Sequence, residues 1–403
     1  MDKGFAPELK STKEESEKAA KQTLQEWMSC FESLEDPRGK QGREHDFLSI
    51  VMIAILAVIG GAEGWDDIEI YAESHQAWLE KLLNLKNGVP HADTYRRVFA
   101  LINPESLQTC FLGWIKQVVT KTEGEVIAID GKQSRGSYDR NTKKSALHVV
   151  SAWARENRLM LGQVKVEDKS NEITAIPALL NLLDLTGNIV TLDAMGTQAK
   201  IADLIIQQGG DYVLSLKANH PKLLDSVKKC FSHHLQSLKS GEMKPIKSQY
   251  SHESKIEASH YRLEKRSCWV LSVAQLGLYQ QQQWSGLKTI VLVNRKRHLW
   301  NKVQTETQFY LSSLLPDAKV ISRAIRQHWG IENQLHWVLD VTFNEDHSRI
   351  RQGHSPENFT LLRRMAISLL NQESTSKRSL RQKTKLAAMN CNYMFDVLRS
   401  ALE

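Results

Sequence analysis

The stretch Val126-Ile127-Ala128-Ile129-Asp130-Gly131-Lys132 places a carboxylate at the end of an apolar, strand-like run, and Ile189-Val190-Thr191-Leu192-Asp193 ends the same way. A strand ending in Asp delivers an acidic oxygen to the rim of a sheet with a stiff backbone behind it. If the two strands are neighbours, their carboxylates stand a few ångströms apart. At about 4 Å and an effective dielectric near 20, that repulsion costs roughly 4 kcal/mol. A proton or a divalent cation must relieve it, and we read the pair as a metal site.

A third acid would complete such a site. In the helical stretch 318–340, Ile325, Trp329, Glu332, His336 and Leu339 fall along one face of a 3.6-residue period. A carboxylate on an otherwise packed face is unusual, because burying it unpaired is expensive. Glu332 is therefore either a metal acid or one half of a buried pair with Arg326 or His328. Asp340, Glu345 and Asp346 compete with it for the metal role.

Neighbouring residues extend the candidate site. Lys132 follows Asp130 by two positions, so an extended chain turns both to the same side. It would hold a phosphate or simply face solvent. Lys217, at the end of another strand candidate, and Arg326 are candidate DNA contacts. His328 would either assist a leaving group or pack as a hydrogen-bonded histidine. Thr197 with Lys200 reads as an N-cap and first-turn residue. His260, Arg262, Glu264 and Arg266 alternate along one strand face, as DNA contacts or as cross-strand ion pairs.

The elements that must position these groups divide the chain. Leu24, Trp27, Met28, Phe31 and Leu34 recur at helical spacing, Asp36-Pro37-Arg38-Gly39 breaks the pattern, and helical periodicity then continues to about residue 120. From Val126 the period changes. Strands are expected at 125–130, 146–154 and 159–166, then helix 173–184, strand 188–193, helix 198–207, strand 211–216 and helix 220–238. Three antiparallel strands followed by alternating helices and strands imply an α/β fold, a mixed sheet flanked by helices. Residues 241–316 carry strand-like runs at 268–273, 289–294 and 307–311 and read as a β-rich insertion. Helices at 317–340, 356–371 and 391–402 close the chain.

Composition sets the broad class. The 403 residues suit two or three domains, with 41% hydrophobic and 25% charged residues typical of a globular protein. Cys30, Cys110, Cys230, Cys268 and Cys391 are widely spaced without a CxxC pair, which fits a reducing, cytoplasmic setting and neither a disulfide framework nor a zinc cluster. The apolar run 47–62 is shorter than the roughly 20 residues a bilayer needs, so it reads as a buried helix and no membrane association is expected. A net charge of +7 and a pI near 9.0 favour a polyanionic partner. Lys377, Arg378, Arg381, Lys383 and Lys385 form a basic run that is either a solvated surface or a phosphate-contacting segment.

Taken together, these motifs resemble the H-repeat-associated family of insertion-sequence transposases, in the DDE superfamily with its RNase H-like core. The likeness rests on Ile129-Asp130-Gly131-Lys132, Leu192-Asp193-Ala194-Met195-Gly196-Thr197-Gln198, Arg326-Gln327-His328-Trp329-Gly330-Ile331-Glu332-Asn333 and Leu335-His336-Trp337-Val338-Leu339-Asp340-Val341. Gly88-Val89-Pro90-His91-Ala92-Asp93-Thr94 and Phe99 resemble the helical segment that precedes the core. The resemblance implies Asp130, Asp193 and Glu332 as catalytic and metal-binding residues, Mg²⁺ as cofactor with Mn²⁺ able to substitute, and cleavage and joining of double-stranded DNA at element ends and target. It implies an N-terminal helical, DNA-end-binding domain at 1–122, a catalytic domain at 123–403, and a homodimer on DNA. Ile325, His328 and Leu339 stand where the wider superfamily carries the Tyr, Arg and Lys of its signature around the Glu. A metal-dependent nuclease and an inactive, DNA-binding relative are the alternative functions.

Overall fold

The computed structural model describes residues 13–40, 43–118, 124–138, 145–167, 170–240, 250–259, 262–298 and 301–402. Helices α1 (Lys13–Ser29), α2 (Phe47–Ile59), α3 (Trp65–Ser74), α4 (Gln76–Leu79), α5 (Ala92–Leu101) and α6 (Pro104–Val118) come first. Strands β1 (Val126–Gln133), β2 (His148–Ala154) and β3 (Leu159–Lys165) follow, then α7 (Glu172–Leu180), β4 (Ile189–Leu192), α8 (Ala199–Gln207), β5 (Asp211–Leu216) and α9 (Pro221–Ser240). After β6 (Tyr250–Ser259) and β7 (Arg262–Ser272) come α10 (Leu278–Gln282), β8 (Thr289–His298), β9 (Val303–Ser312), α11 (Ala318–Ile331), α12 (Trp337–Val341), α13 (Ser355–Gln372), α14 (Leu380–Met389) and α15 (Cys391–Arg399). Packing divides the chain into a helical unit (1–119, 134–146 and 338–403) and a sheet unit (120–133 and 147–337).

The sheet unit is a mixed nine-stranded sheet in the order β3-β2-β1-β4-β5-β9-β8-β7-β6. Strands β1, β2 and β3 form the expected antiparallel meander, while β4 joins β1 and β5 joins β4 in parallel. Alternation sorts each strand onto two faces. Ile127 and Ile129 of β1, Val190 and Leu192 of β4, and Leu214 and Leu216 of β5 pack in one core with Ile176, Leu179, Ile201, Ile205, Val227 and Phe231 from α7, α8 and α9. Val126, Ile189 and Val213 face the other way, against Ala318, Ile321, Ala324 and Ile325 of α11. The same alternation, run past the apolar stretch, places Asp130, Asp193 and Lys217 on the α11 side.

The expected β-rich insertion is present, but its strands do not stand apart. They continue the core sheet, because β9 pairs antiparallel with β5 and β8, β7 and β6 add in turn. Strand β6 escaped the sequence reading, since Tyr-Ser-His-Glu-Ser-Lys-Ile-Glu-Ala-Ser carries little apolar alternation. Residues 241–249 and His260 lie outside the described residues.

In the helical unit, α2 is buried along nearly its whole length, and Asp46 caps it by accepting from the Ser49 backbone N–H at 2.8 Å. No helix among the described residues is long and apolar enough to cross a membrane. Trp27 of α1 and Trp114 of α6 pack with ring centroids 5.0 Å apart and planes tilted by 39°, and donate to the carbonyls of Leu398 and Ala401 respectively. The C-terminal helices therefore pack with the N-terminal ones in one compact unit. Within the basic run Lys383 is buried and paired with Glu373 at 3.1 Å, so it is no phosphate contact, while Lys377, Arg378, Arg381 and Lys385 are exposed.

Candidate metal centre

Asp130 and Asp193 meet because of strand register. Ile129 of β1 lies opposite Leu192 of β4 in a parallel ladder, so each Asp is the next residue on adjoining strands. Parallel neighbours run about 4.8 Å apart. Burial pushes the Asp130 carboxyl up to about 6, with Glu172 and Asp193 adding to the rise and His336 opposing it. The like-charge conflict expected from the sequence is thus present. Asp193 is held by its own loop, for its Oδ1 accepts from the backbone N–H groups of Met195 at 2.9 Å and Gly196 at 3.0 Å.

Thr197 is not the N-cap of α8. Gln198 takes that position, and the Thr197 hydroxyl reaches the carbonyls of Asp193 at 2.9 Å and Ser215 at 2.7 Å. It ties the end of β4 to β5 directly behind the acid.

Glu332 arrives from the far side of the site. Helix α11 ends at Ile331, and the chain widens into a π turn over Glu332–His336 before α12 resumes. The continuous α-helix expected over 317–340 is thus interrupted at the acid itself, a placement that recurs at functional sites. The partner of Glu332 is neither Arg326 nor His328. Its Oε2 lies 3.2 Å from Nδ1 of His336, and the same nitrogen lies 3.5 Å from Oδ2 of Asp130. The hydrogen bond from His336 holds the Glu332 carboxyl below its usual range, helped by the nearby positive charge of Lys132. Ligand atoms of Asp130, Glu332 and His336 all lie within 4.8 Å of one another. Asp130, Asp193 and Glu332 together line a cavity of about 270 Å³ with Thr191, Lys217, Tyr310, His328 and Trp329.

The flanking candidates separate. Lys132 lies near Glu332, and Lys217 is exposed at the cavity wall. Arg326 instead pairs with Glu257 of β6 at 3.0 Å, in a different cavity. His328 keeps to its structural alternative: its Nδ1 lies 2.9 Å from the Thr191 hydroxyl, and burial pushes its pKa down to about 4. Glu264 and Arg266 form an ion pair, with Arg297 on the same Glu at 3.2 Å. Two of the three competing acids are engaged elsewhere, Glu345 with Arg364 at 3.0 Å and Asp346 with Arg135 at 3.6 Å, and Asp340 is not among the residues lining the cavity.

Two participants were not singled out by sequence reasoning. His336 was noted only as a face residue of the helix, and its spacing of four from Glu332 was the available signal. Glu172 bonds His148 at 2.9 Å against Gly131, where a Cβ would come within 2.1 Å of Glu172 Oε1. Glycine beside the acid is what admits that pair. No sequence pattern announces it.

Comparisons with known proteins identify the family of the chain. Residues 28–115 match the family model described as DDE_Tnp_1-associated, and residues 121–369 match that of the Transposase DDE domain. The chain is 38% identical over 381 residues to the "H repeat-associated putative transposase YhhI" of Escherichia coli (strain K12), covering 93% of this chain and 98% of that protein. It is also 38% identical over 384 residues to the "Putative transposase YncI" of Escherichia coli O157:H7, covering 94% and 96%.

Proposed function

Because the chain belongs to the Transposase DDE domain family, we propose that it is an insertion-sequence transposase that cuts the ends of its element and joins them to target DNA with Mg²⁺ as cofactor. The observation that carries the reading is that Asp130, Asp193 and Glu332 line one cavity from two adjacent strand ends and a π turn, with Asp130 and Glu332 in one cluster of ligand atoms. Their donor set fits a hard divalent cation: carboxylate oxygens dominate, and each acid sits on a backbone fixed by pairing or by a turn. Divalent cations in such a site supply an activated hydroxyl nucleophile and charge relief at phosphorus.

The residues of the chain do the rest. Asp130, raised by burial, must shed its proton before it can serve as a ligand. Asp193 keeps Oδ1 in its loop and lines the cavity. Lys132 and Lys217 lie on the sheet face that carries the acids and would hold the phosphates that flank the cut. The helical unit would recognise the element ends, and two copies would act together on paired ends.

Supercoiled or linear DNA bearing the element's terminal repeats, incubated with protein and Mg²⁺, tests the reading. Asp130→Asn should reduce both cleaved and joined products to background while DNA retention in a filter or gel assay is unchanged. Turnover by that variant equal to the original would falsify the assignment. Cleaved ends without joined product would point to a nuclease.

A further inference from the structure

His336 lies inside the candidate metal centre, yet the acid triad gives it no part. Its ring is 4% exposed, and Nε2 has no hydrogen-bond partner. Nδ1 faces two carboxylate oxygens at once, at 3.2 Å from Glu332 and 3.5 Å from Asp130. Cis ligands of an octahedral ion with bonds of about 2.1 Å are separated by about 3 Å. Both distances from Nδ1 are thus already close to the edges of one coordination polyhedron, and the two carboxylates lie within 4.8 Å of each other. The π turn supplies both Glu332 and His336 from a segment where the regular helical ladder is given up.

We propose that Nδ1 of His336 is a direct ligand of the divalent cation held by Asp130 and Glu332, making the centre a mixed carboxylate–imidazole site. The inference rests on the reading of those two acids as metal ligands. Without the cation Nδ1 donates to Glu332; binding would displace that proton and leave the remaining one on Nε2, so that the Nδ1 lone pair faces the cation. Imidazole suits first-row transition ions better than the hard Mg²⁺ and Ca²⁺, which oxygen donors serve alone, so loss of the histidine should cost Mn²⁺ more affinity than Mg²⁺. If His336 were only a positioning residue, it would donate to Glu332 and leave the cation an all-oxygen shell.

The full chain, stripped of metal and loaded with Mn²⁺, is examined by electron spin echo envelope modulation, and Mn²⁺ and Mg²⁺ affinities are measured by calorimetry. The wild-type spectrum should show imidazole nitrogen coupling. His336→Asn, which keeps a side-chain N–H donor, should abolish that coupling and lower Mn²⁺ affinity by at least about tenfold, the low end of what losing even an outer-shell partner causes, with a smaller loss for Mg²⁺. His336→Gln repeats the test should the first variant fail to fold. Absence of nitrogen coupling in the wild type, or its persistence in both variants, overturns the proposal. Asp130→Asn separates the two levels. If it abolishes Mn²⁺ binding while the wild type lacks nitrogen coupling, the acid centre stands and the histidine ligand falls. If it binds Mn²⁺ as the wild type does, both fall.

Discussion

At the scale of single residues, the site is an electrostatic conflict held in place by burial. Asp130 has a pKa of about 6 against an ordinary 3.8, with burial the largest cause. Without metal, the folded protein therefore binds more protons than the unfolded chain between about pH 4 and pH 6. Stability from this group is present below the unfolded value and is lost as pH rises through the folded one. Two units correspond to at most about 3 kcal/mol. Metal-free protein should lose urea resistance from pH 4 to pH 7 through this group, and Asp130→Asn should flatten that part of the profile. An unchanged profile in the variant would place the strain elsewhere. Added Mg²⁺ should restore the wild-type midpoint at pH 7, since a ligand that binds only the native state stabilises it.

At the scale of elements, close approaches decide what the strands and helices can hold. A Cβ on Gly131 of β1 would lie 2.1 Å from Glu172 and 2.8 Å from the His148 ring. Gly131→Ala should therefore displace the Glu172–His148 pair, cost about 1–3 kcal/mol as an overpacking change, and lower cleavage by shifting Asp130. A thermal melt paired with a cleavage assay checks both effects. In the helical unit, Lys383 of α14 closes on Glu373, whose carboxyl is pulled down to about 2: burial opposes the shift, and hydrogen bonds from Thr375, Tyr393, Ser376 and Lys383 outweigh it. Lys383→Met leaves that acid buried without its cation, at a cost of about 3–5 kcal/mol. A urea midpoint within error of the wild type would show that the pair contributes little.

At the scale of the whole molecule, the net charge of +7 and the family fix the class of partner. Affinity for DNA carrying the terminal repeats should fall steeply and linearly on a log–log plot against salt, as released counterions require. Lys217→Met should reduce that slope by about one without changing sequence preference, which is the signature of a phosphate contact. Arg326→Met should leave the slope alone, because its guanidinium is already matched to Glu257 at 3.0 Å. Equal effects from the two substitutions would mean that the ion pair opens on DNA.

The amino-acid sequence by itself determined the two strand-end acids and the layered α/β order. Apolar runs of period two and helices of period 3.6 are local properties, and local properties are written in consecutive residues. Asp130 and Asp193 were legible because each simply follows its run; Glu332 stood out through the family resemblance, since the packed face its spacing suggested is not there and both Glu332 and Trp329 are exposed. Only the tertiary structure decided their company. His336 rather than Arg326 or His328 faces Glu332, because a π turn rotates the segment and α11 docks on one particular sheet face. Glu172 reaches Gly131 across 41 residues of chain, β6–β9 join the core sheet through β5, and residues 338–403 return to the N-terminal helices. Each of these depends on which distant surfaces fit, and a pairing between distant surfaces leaves no period in the sequence for a local reading to find.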